Sequence, residues 1–253
     1  MVDPRTLFDL SGRVACVTGA SSGLGQQAAT ALAAAGANVV GVARRQDALT
    51  QWQTEIGPAA AVVVADVADR AFVDDLRNAI SAPFGAPDII VHAAGINTRQ
   101  AADDVTSEGW DTTLALNLSA PFFLSQALVP AMKSKGWGRI INFASLQSSR
   151  AFPGGIAYGA SKAGIAQLTR AMAEAWSPHG ITANAIGPGF FPTVLTAKVF
   201  SDAKRAASNA EQTCIGRNGQ LEDIDGPLIF LCSDASAYVT GQTLMVDGGF
   251  TAK

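Results

Sequence analysis

Along the chain, short runs of consecutive apolar residues alternate with longer segments in which apolar residues recur at helical spacing. Seven apolar runs read as buried strands: Val14–Thr18, Val39–Val42, Ala61–Val64, Ile89–Val91, Arg139–Phe143, Thr182–Ile186 and Thr243–Val246. Between them, Gln26–Ala35, Phe72–Ile80, Asp111–Lys133 and Ile156–Trp176 have the composition and length of helices. Strands that are apolar throughout and separated by helices belong in a parallel sheet covered on both faces. No linker, repeat or low-complexity tract divides the pattern, so residues 1–253 are expected to form one α/β domain. The least patterned part is 187–220, and a substrate lid is expected at about 190–213.

Composition narrows the partners. The chain is 48% hydrophobic and 15% charged, enough to bury a sizeable core. Its 18 basic and 21 acidic residues are interspersed, with a formal net charge of −3, so neither nucleic acid nor an anionic membrane is an expected partner. The ligand is expected to be a small molecule. Cys16, Cys214 and Cys232 are too few and too far apart for a disulfide framework, and a reduced, cytoplasmic setting is expected. Neither His92 nor His179 has a second His or Cys at ligand spacing, so no metal site is expected. The opening "MVDPRTLFDLSGR" lacks a basic segment followed by an apolar one, the mark of a secretory signal. The alanine-rich stretch 28–43 is broken by Gly36 and Asn38, which argues against a membrane span.

Two motifs carry chemistry. "TGASSGLG", residues 18–25, follows the first strand and enters the first helix, which places Gly19, Gly23 and Gly25 where backbone N–H groups can approach a pyrophosphate. The spacing differs from G-x-G-x-x-G, but strand, glycine turn and helix come in the order of a Rossmann-type dinucleotide site. At the exit of the second strand stand Ala43, Arg44 and Arg45, with no acid before Asp47. Arginine there pairs with a ribose 2′-phosphate, which favours NADP(H), with NAD(H) the alternative. The second motif is "AYGASKAG", residues 157–164, in which Tyr158 and Lys162 fall on one helix face. An ammonium beside a phenol favours the phenolate, so Lys162 is expected to lower the Tyr158 pKa and make it a general acid/base.

Together, "TGASSGLG", Ser145 thirteen positions before Tyr158, and Lys162 four after it resemble the short-chain dehydrogenases/reductases. The resemblance runs through "LSGRVACVTG", "DV" at 66–67, "LNLSAPFF", "NAIGPG" and "VTGQTLMVDGG", and so covers nearly the whole chain. It implies a nicotinamide-dependent oxidoreductase acting on CH–OH groups, with Tyr158 exchanging a proton with the substrate oxygen, Ser145 polarising it, Lys162 binding the nicotinamide ribose, and Asn117 holding a relay water. For the cofactor it implies Gly19, Ser21, Ser22, Gly23, Leu24, Gly25, Arg44, Arg45, Asp66, Val67, Ala94, Gly95, Tyr158, Lys162, Pro188, Gly189 and Thr193. One departure is "HAAG", 92–95, where the family has Asn-Asn-Ala-Gly; His92 is read as a structural substitute. Family members commonly form tetramers through two long helices and the C-terminal segment, so a homo-oligomer, a homotetramer by the resemblance, is implied.

Three segments should border the reacting carbon: "GINTRQ", "SLQSSRAF" and "GFFPTVLT". Asn97, Arg99, Gln147, Ser148 and Arg150 suit a hydroxylated, carboxylated substrate, whereas Phe152, Phe190 and Phe191 suit an apolar slot. Within the family the pattern looks most like the gluconate 5-dehydrogenase group. A 3-oxoacyl-carrier-protein reductase is the enzymatic alternative, although the helix after Asn117 has no basic cluster for an acidic carrier. A non-catalytic nucleotide-binding regulator is the alternative from another class, and it has no need of Asn117, Ser145, Tyr158 and Lys162 together.

Overall fold

The computed structural model describes residues 6–253; residues 1–5, the start of the stretch read for a secretory signal, lie outside them. Seven strands make one sheet: β1 Val14–Thr18, β2 Asn38–Ala43, β3 Ala60–Val64, β4 Ile89–His92, β5 Gly138–Phe143, β6 Ile181–Pro188 and β7 Thr243–Val246. Their order is β3-β2-β1-β4-β5-β6-β7, and every pairing is parallel. Each expected strand is present, with ends displaced by no more than two residues. The sheet is a doubly wound parallel sheet flanked by helices, as the pattern predicts.

Nine helices cover it among the described residues: α1 Gly23–Ala34, α2 Gln46–Ile56, α3 Val73–Ser81, α4 Ser107–Leu114, α5 Ala120–Lys135, α6 Ile156–Trp176, α7 Ala197–Phe200, α8 Ala203–Glu211 and α9 Asp225–Cys232. Successive strand residues face opposite layers. Val39, Ile89, Val91 and Ile141 pack with α1 and α9, whereas Val40, Ile90 and Ile140 pack with α3, α5 and α6. Both faces are buried, which is why the strands are largely apolar throughout rather than on alternate residues, with Arg139, Asn142, Thr182 and Asn184 among the buried polar exceptions. Two helices lacked a sequence signal: α2 buries only Leu49 and Trp52, and α9 is short and apolar all round. The weakly patterned stretch after β6 contains α7 and α8.

The helix expected at Asp111–Lys133 runs from Ser107 to Lys135, but residues Ala115–Ser119 wind as a π-helix between α4 and α5. Such widened turns often mark functional sites, and this one carries Asn117. By length and composition the whole helix could cross a membrane, with 39% of its most apolar window buried. Here it lies on the sheet, with Leu124, Leu128 and Met132 packed in the layer that contains Ile90 and Ile140.

The chain order reverses between β1 and β4, so loops from their carboxyl ends splay apart and leave a crevice. At the other end of the sheet, β5 starts in a closed polar cluster. The Arg139 guanidinium, 3% exposed, meets Asp234 at 3.2 Å and donates to the carbonyls of Ser233 and Gly138. It lies 4.2 Å from the Trp137 ring centroid, with the Arg13 guanidinium 3.6 Å from the same ring.

Candidate active site

The crevice widens into a cleft of about 670 Å³ over the carboxyl ends of the strands. Every residue expected to contact the cofactor lines it, as do Ser145, Asn97, Arg99, Gln147, Phe190 and Phe191. Asn117 lies beneath its floor, and Arg150 is not among the lining residues.

The dinucleotide end is built by the β1–α1 turn. Gly25 sits so close to Gly19 that a Cβ on it would stand 2.4 Å from the Gly19 carbonyl oxygen, so only glycine permits this tight entry into α1. Ser22, at the N-cap, is extended and its side chain does not cap the helix. The first N–H groups of α1 are thereby left to a ligand anion. Arg45 donates instead to the hydroxyls of Ser21 (3.0 Å) and Ser22 (2.6 Å), while Arg44 pairs with Asp66 at 3.6 Å, both side chains well exposed. Six basic residues line the cleft, Arg44, Arg45, Arg99, Lys162, Lys198 and Arg205, against one acid, Asp66. That donor set and charge fit a phosphorylated dinucleotide. Lys198 and Arg205, from α7 and α8, were not expected; the basic residues of "AKVF" and "AKRAA" were the available signal. Thr193, after β6, packs against Gly23 of the phosphate loop.

The chemical end joins β5 to α6. Ser145 ends the β5 loop, and its Oγ accepts the Gln147 backbone N–H at 3.1 Å, which leaves its own proton free to donate into the cleft. Tyr158 and Lys162 are one turn apart on α6, buried, with the ammonium 5.7 Å from the phenol ring centroid. Lys162 Nζ donates to the Phe143 carbonyl at 2.6 Å, and burial pushes its pKa down to about 8. Burial also dominates at Tyr158 and raises its pKa; the Ser145 hydroxyl and then the positive charge of Arg99 pull it back. This corrects the expectation that Lys162 lowers the tyrosine: burial outweighs the groups that favour the phenolate, and those are Ser145 and Arg99. Asn117 has a structural role as well. Its side chain accepts from the Ile96 N–H (2.9 Å) and donates to the Ile96 carbonyl (2.9 Å) and to Ser161 Oγ (3.0 Å). It clamps the β4 loop to α6, and with both amide protons committed it keeps a second lone pair on Oδ1 as an acceptor for a water.

On the substrate side, Arg99 is the one non-glycine among the described residues with positive φ, +54°. Asn97 Oδ1 caps its N–H at 3.0 Å, and the Arg99 guanidinium donates to the Leu195 carbonyl, between β6 and α7, at 2.6 Å. The Gln147 Oε1 is buried without a partner. Ser148 is structural: its hydroxyl donates to the Lys162 carbonyl and accepts from the Ser145 N–H. Arg150 corrects a second expectation, because its guanidinium donates to the Phe250 carbonyl at 3.1 Å and lies over that ring, outside the cleft. His92 hydrogen-bonds Ser125 Oγ at 2.8 Å, and burial pushes its pKa to about 3, which suits a neutral structural residue. Among the described residues no cluster of His, Cys, Asp or Glu could hold a metal.

A phosphate loop, a cationic dinucleotide cleft and a Ser-Tyr-Lys set at its inner end define a nicotinamide-dependent oxidoreductase acting on a CH–OH group. A family model described as enoyl-(acyl carrier protein) reductase matches residues 19–251. The chain belongs to the short-chain dehydrogenase/reductase family. It is 40% identical over 248 residues to the gluconate 5-dehydrogenase of Gluconobacter oxydans (strain 621H), covering 97% of both chains. It is 39% identical to the 2-dehydro-3-deoxy-D-gluconate 5-dehydrogenase of Escherichia coli (strain K12), over 97% of this chain and 98% of that one. A 3-oxoacyl-[acyl-carrier-protein] reductase of the same organism is 36% identical, over 96% and 98%. Among solved structures, a gluconate 5-dehydrogenase from Burkholderia cenocepacia J2315 in complex with NADP and tartrate matches with a TM-score of 0.92 and 37% identity, covering 98% of both chains.

Proposed function

We propose that the protein is an NADP(H)-dependent dehydrogenase of a sugar acid or closely related polyol, interconverting a secondary hydroxyl and its ketone. The observation that carries this reading is the uncompensated positive charge of the cleft, with Arg99 acting on Tyr158 from the substrate side. Arg44 and Arg45 would hold a 2′-phosphate, the first turn of α1 the pyrophosphate, and Lys162 the nicotinamide ribose. When bound, the nicotinamide supplies or accepts the hydride.

The chain's own residues handle the proton and the alignment. In oxidation, ionised Tyr158 takes the hydroxyl proton while the Ser145 hydroxyl donates to the same oxygen and holds it in place. In reduction, neutral Tyr158 returns the proton. Lys162, with one N–H committed to Phe143, has two left for ribose hydroxyls. Arg99 is suited to a substrate carboxylate, and the unpartnered Gln147 amide to a hydroxyl. The relatives named above support a sugar-acid substrate over a 3-oxoacyl thioester by their closer identity.

The test is nicotinamide absorbance with purified protein, NADP(H) against NAD(H), over sugar acids, free sugars, polyols and a 3-oxoacyl thioester. Turnover concentrated on a gluconate-type acid with NADP(H) is expected. Turnover of the thioester alone would refute it in favour of the acyl reductase. Silence across the panel with tight NADPH binding would favour the non-catalytic regulator. We also propose a homotetramer, supported by the family resemblance, to be checked by light scattering. A cytoplasmic location is supported by three unpaired cysteines.

A further inference from the structure

The segment after β7, Asp247–Lys253, does not line the cleft, yet its contacts converge on the cleft wall. Phe250 is 2% exposed. Its ring packs against Phe190 with centroids 5.6 Å apart and against Phe152 at 6.3 Å, and those two, 6.1 Å from each other, both line the cleft. From behind, Arg150 donates to the Phe250 carbonyl and lies 5.3 Å from its ring. The turn itself is locked by Asp247, whose carboxylate accepts from the N–H groups of Gly249 and Thr251 and from the Thr251 hydroxyl. It presses so closely on the end of β6 that a Cβ on Gly189 would stand 2.8 Å from the Asp247 Cα. At the far root of the lid, the Gly248 carbonyl accepts from the N–H of Cys214 (2.8 Å) and Ile215 (3.2 Å), and Lys253 Nζ donates to the carbonyls of Glu211 and Thr213.

We propose that Phe250, held by Arg150, is a positioning residue for substrate selection. It sets the spacing of Phe152 and Phe190, the apolar wall of the substrate side, while the rest of the segment anchors the lid. Neither residue touches the substrate. The proposal rests on the reading that this side of the cleft takes the substrate.

The experiment compares steady-state kinetics of wild type, Phe250→Ala, Phe250→Leu, Arg150→Ala, Arg150→Lys and the double variant Arg150→Ala/Phe250→Ala, on whichever panel substrate the wild type turns over fastest and on bulkier analogues. NADPH affinity is measured in parallel. Phe250→Ala is expected to raise KM for the preferred substrate by about tenfold, as loss of a packed aromatic support does, and to shift selectivity towards bulkier analogues with NADPH affinity unchanged. Arg150→Ala should move the same way by less, Arg150→Lys should recover most of that, and Arg150→Ala should add nothing once Phe250 is gone. An Arg150→Ala effect that persists in the Phe250→Ala background would place Arg150 on the substrate and overturn the proposal. So would loss of substrate and NADPH binding in step. If Phe250→Ala does not fold, Phe250→Leu and Arg150→Ala carry the same comparison. A wild type that prefers the thioester refutes the sugar-acid reading while leaving this test decisive.

Discussion

The two ends of β5 each hold a buried cation, and they differ in how many partners meet it. At the amino end, Arg139 is met by Asp234, two carbonyls and the Trp137 ring; burial still lowers its pKa, and the Asp234 carboxylate pulls it back. At the carboxyl end, Lys162 donates to the Phe143 carbonyl and has the Tyr158 ring centroid 5.7 Å away, with no carboxylate among the described residues to meet it, and burial holds its pKa near 8 rather than 10.5. That shift corresponds to a stability cost on the order of 3 kcal/mol at neutral pH. The difference teaches where the sheet is scaffold and where it is chemistry. On the proposed role, a cation that binds ribose hydroxyls has to keep donors unspent, and proteins accept strain of this kind at functional sites.

The contrast can be broken most severely at the chemical end. Tyr158→Phe is expected to lower kcat/KM by at least about a thousandfold, the scale of a lost general acid/base, with NADPH affinity measured by fluorescence nearly unchanged. Retained turnover would end the assignment. Next in size, Arg139→Met should lower the stability read from urea unfolding by about 2 kcal/mol, because it strips partners from buried carbonyls, while the activity per folded molecule stays as it was. A fall in kcat without a fall in stability would show that the amino end is not mere scaffold. Arg44→Glu should weaken NADPH binding by about tenfold or more and leave NADH nearly untouched, and equal losses would show that Arg44 does not read the phosphate. The smallest effect is in the pH profile. Tyr158 is raised by burial, so the base form needed for oxidation accumulates only as pH rises, and log kcat/KM for oxidation should climb into the alkaline range. Arg99 pulls that pKa down, so Arg99→Gln should shift the climb to higher pH. A shift to lower pH would contradict the electrostatic role.

The strands were legible because burial on both faces writes an unbroken apolar run, and the glycine turn because α1 can start there only with glycine at position 25. Tyr158, Lys162 and Ser145 were legible from spacing and resemblance. What sequence could not supply was direction. Lys162 and Tyr158 were rightly read as neighbours, yet the sign of the tyrosine shift depends on burial, which no spacing reports. Arg150 looked like a ligand residue because it follows Ser145 closely, and only the return of the chain after β7 shows that its guanidinium is held by Phe250. Asn117 sits in a π-turn that helical periodicity cannot distinguish from α-helix. The cleft cations Lys198 and Arg205 fell in the segment with the weakest pattern, where α7 and α8 are short and largely exposed.

The central claim, that the carboxyl-end cation is left uncompensated for its chemistry, is tested most directly by urea unfolding of wild type and Lys162→Met between pH 7 and 10. Because the folded pKa of Lys162 lies below its unfolded value, the unfolded chain binds the extra proton in that window, and stability due to this group rises with pH. Cys16, held up to about 12 by burial, and Cys232 and Tyr158, also raised by burial, act in the opposite sense and are present in both proteins, so the difference between the curves reports Lys162. The account expects the wild type to gain about 2 kcal/mol relative to the variant from pH 8 to pH 10, with turnover absent in the variant throughout. A difference that stays flat across that range would mean that Lys162 is already compensated in the fold, and the contrast between the two ends of β5 would not stand.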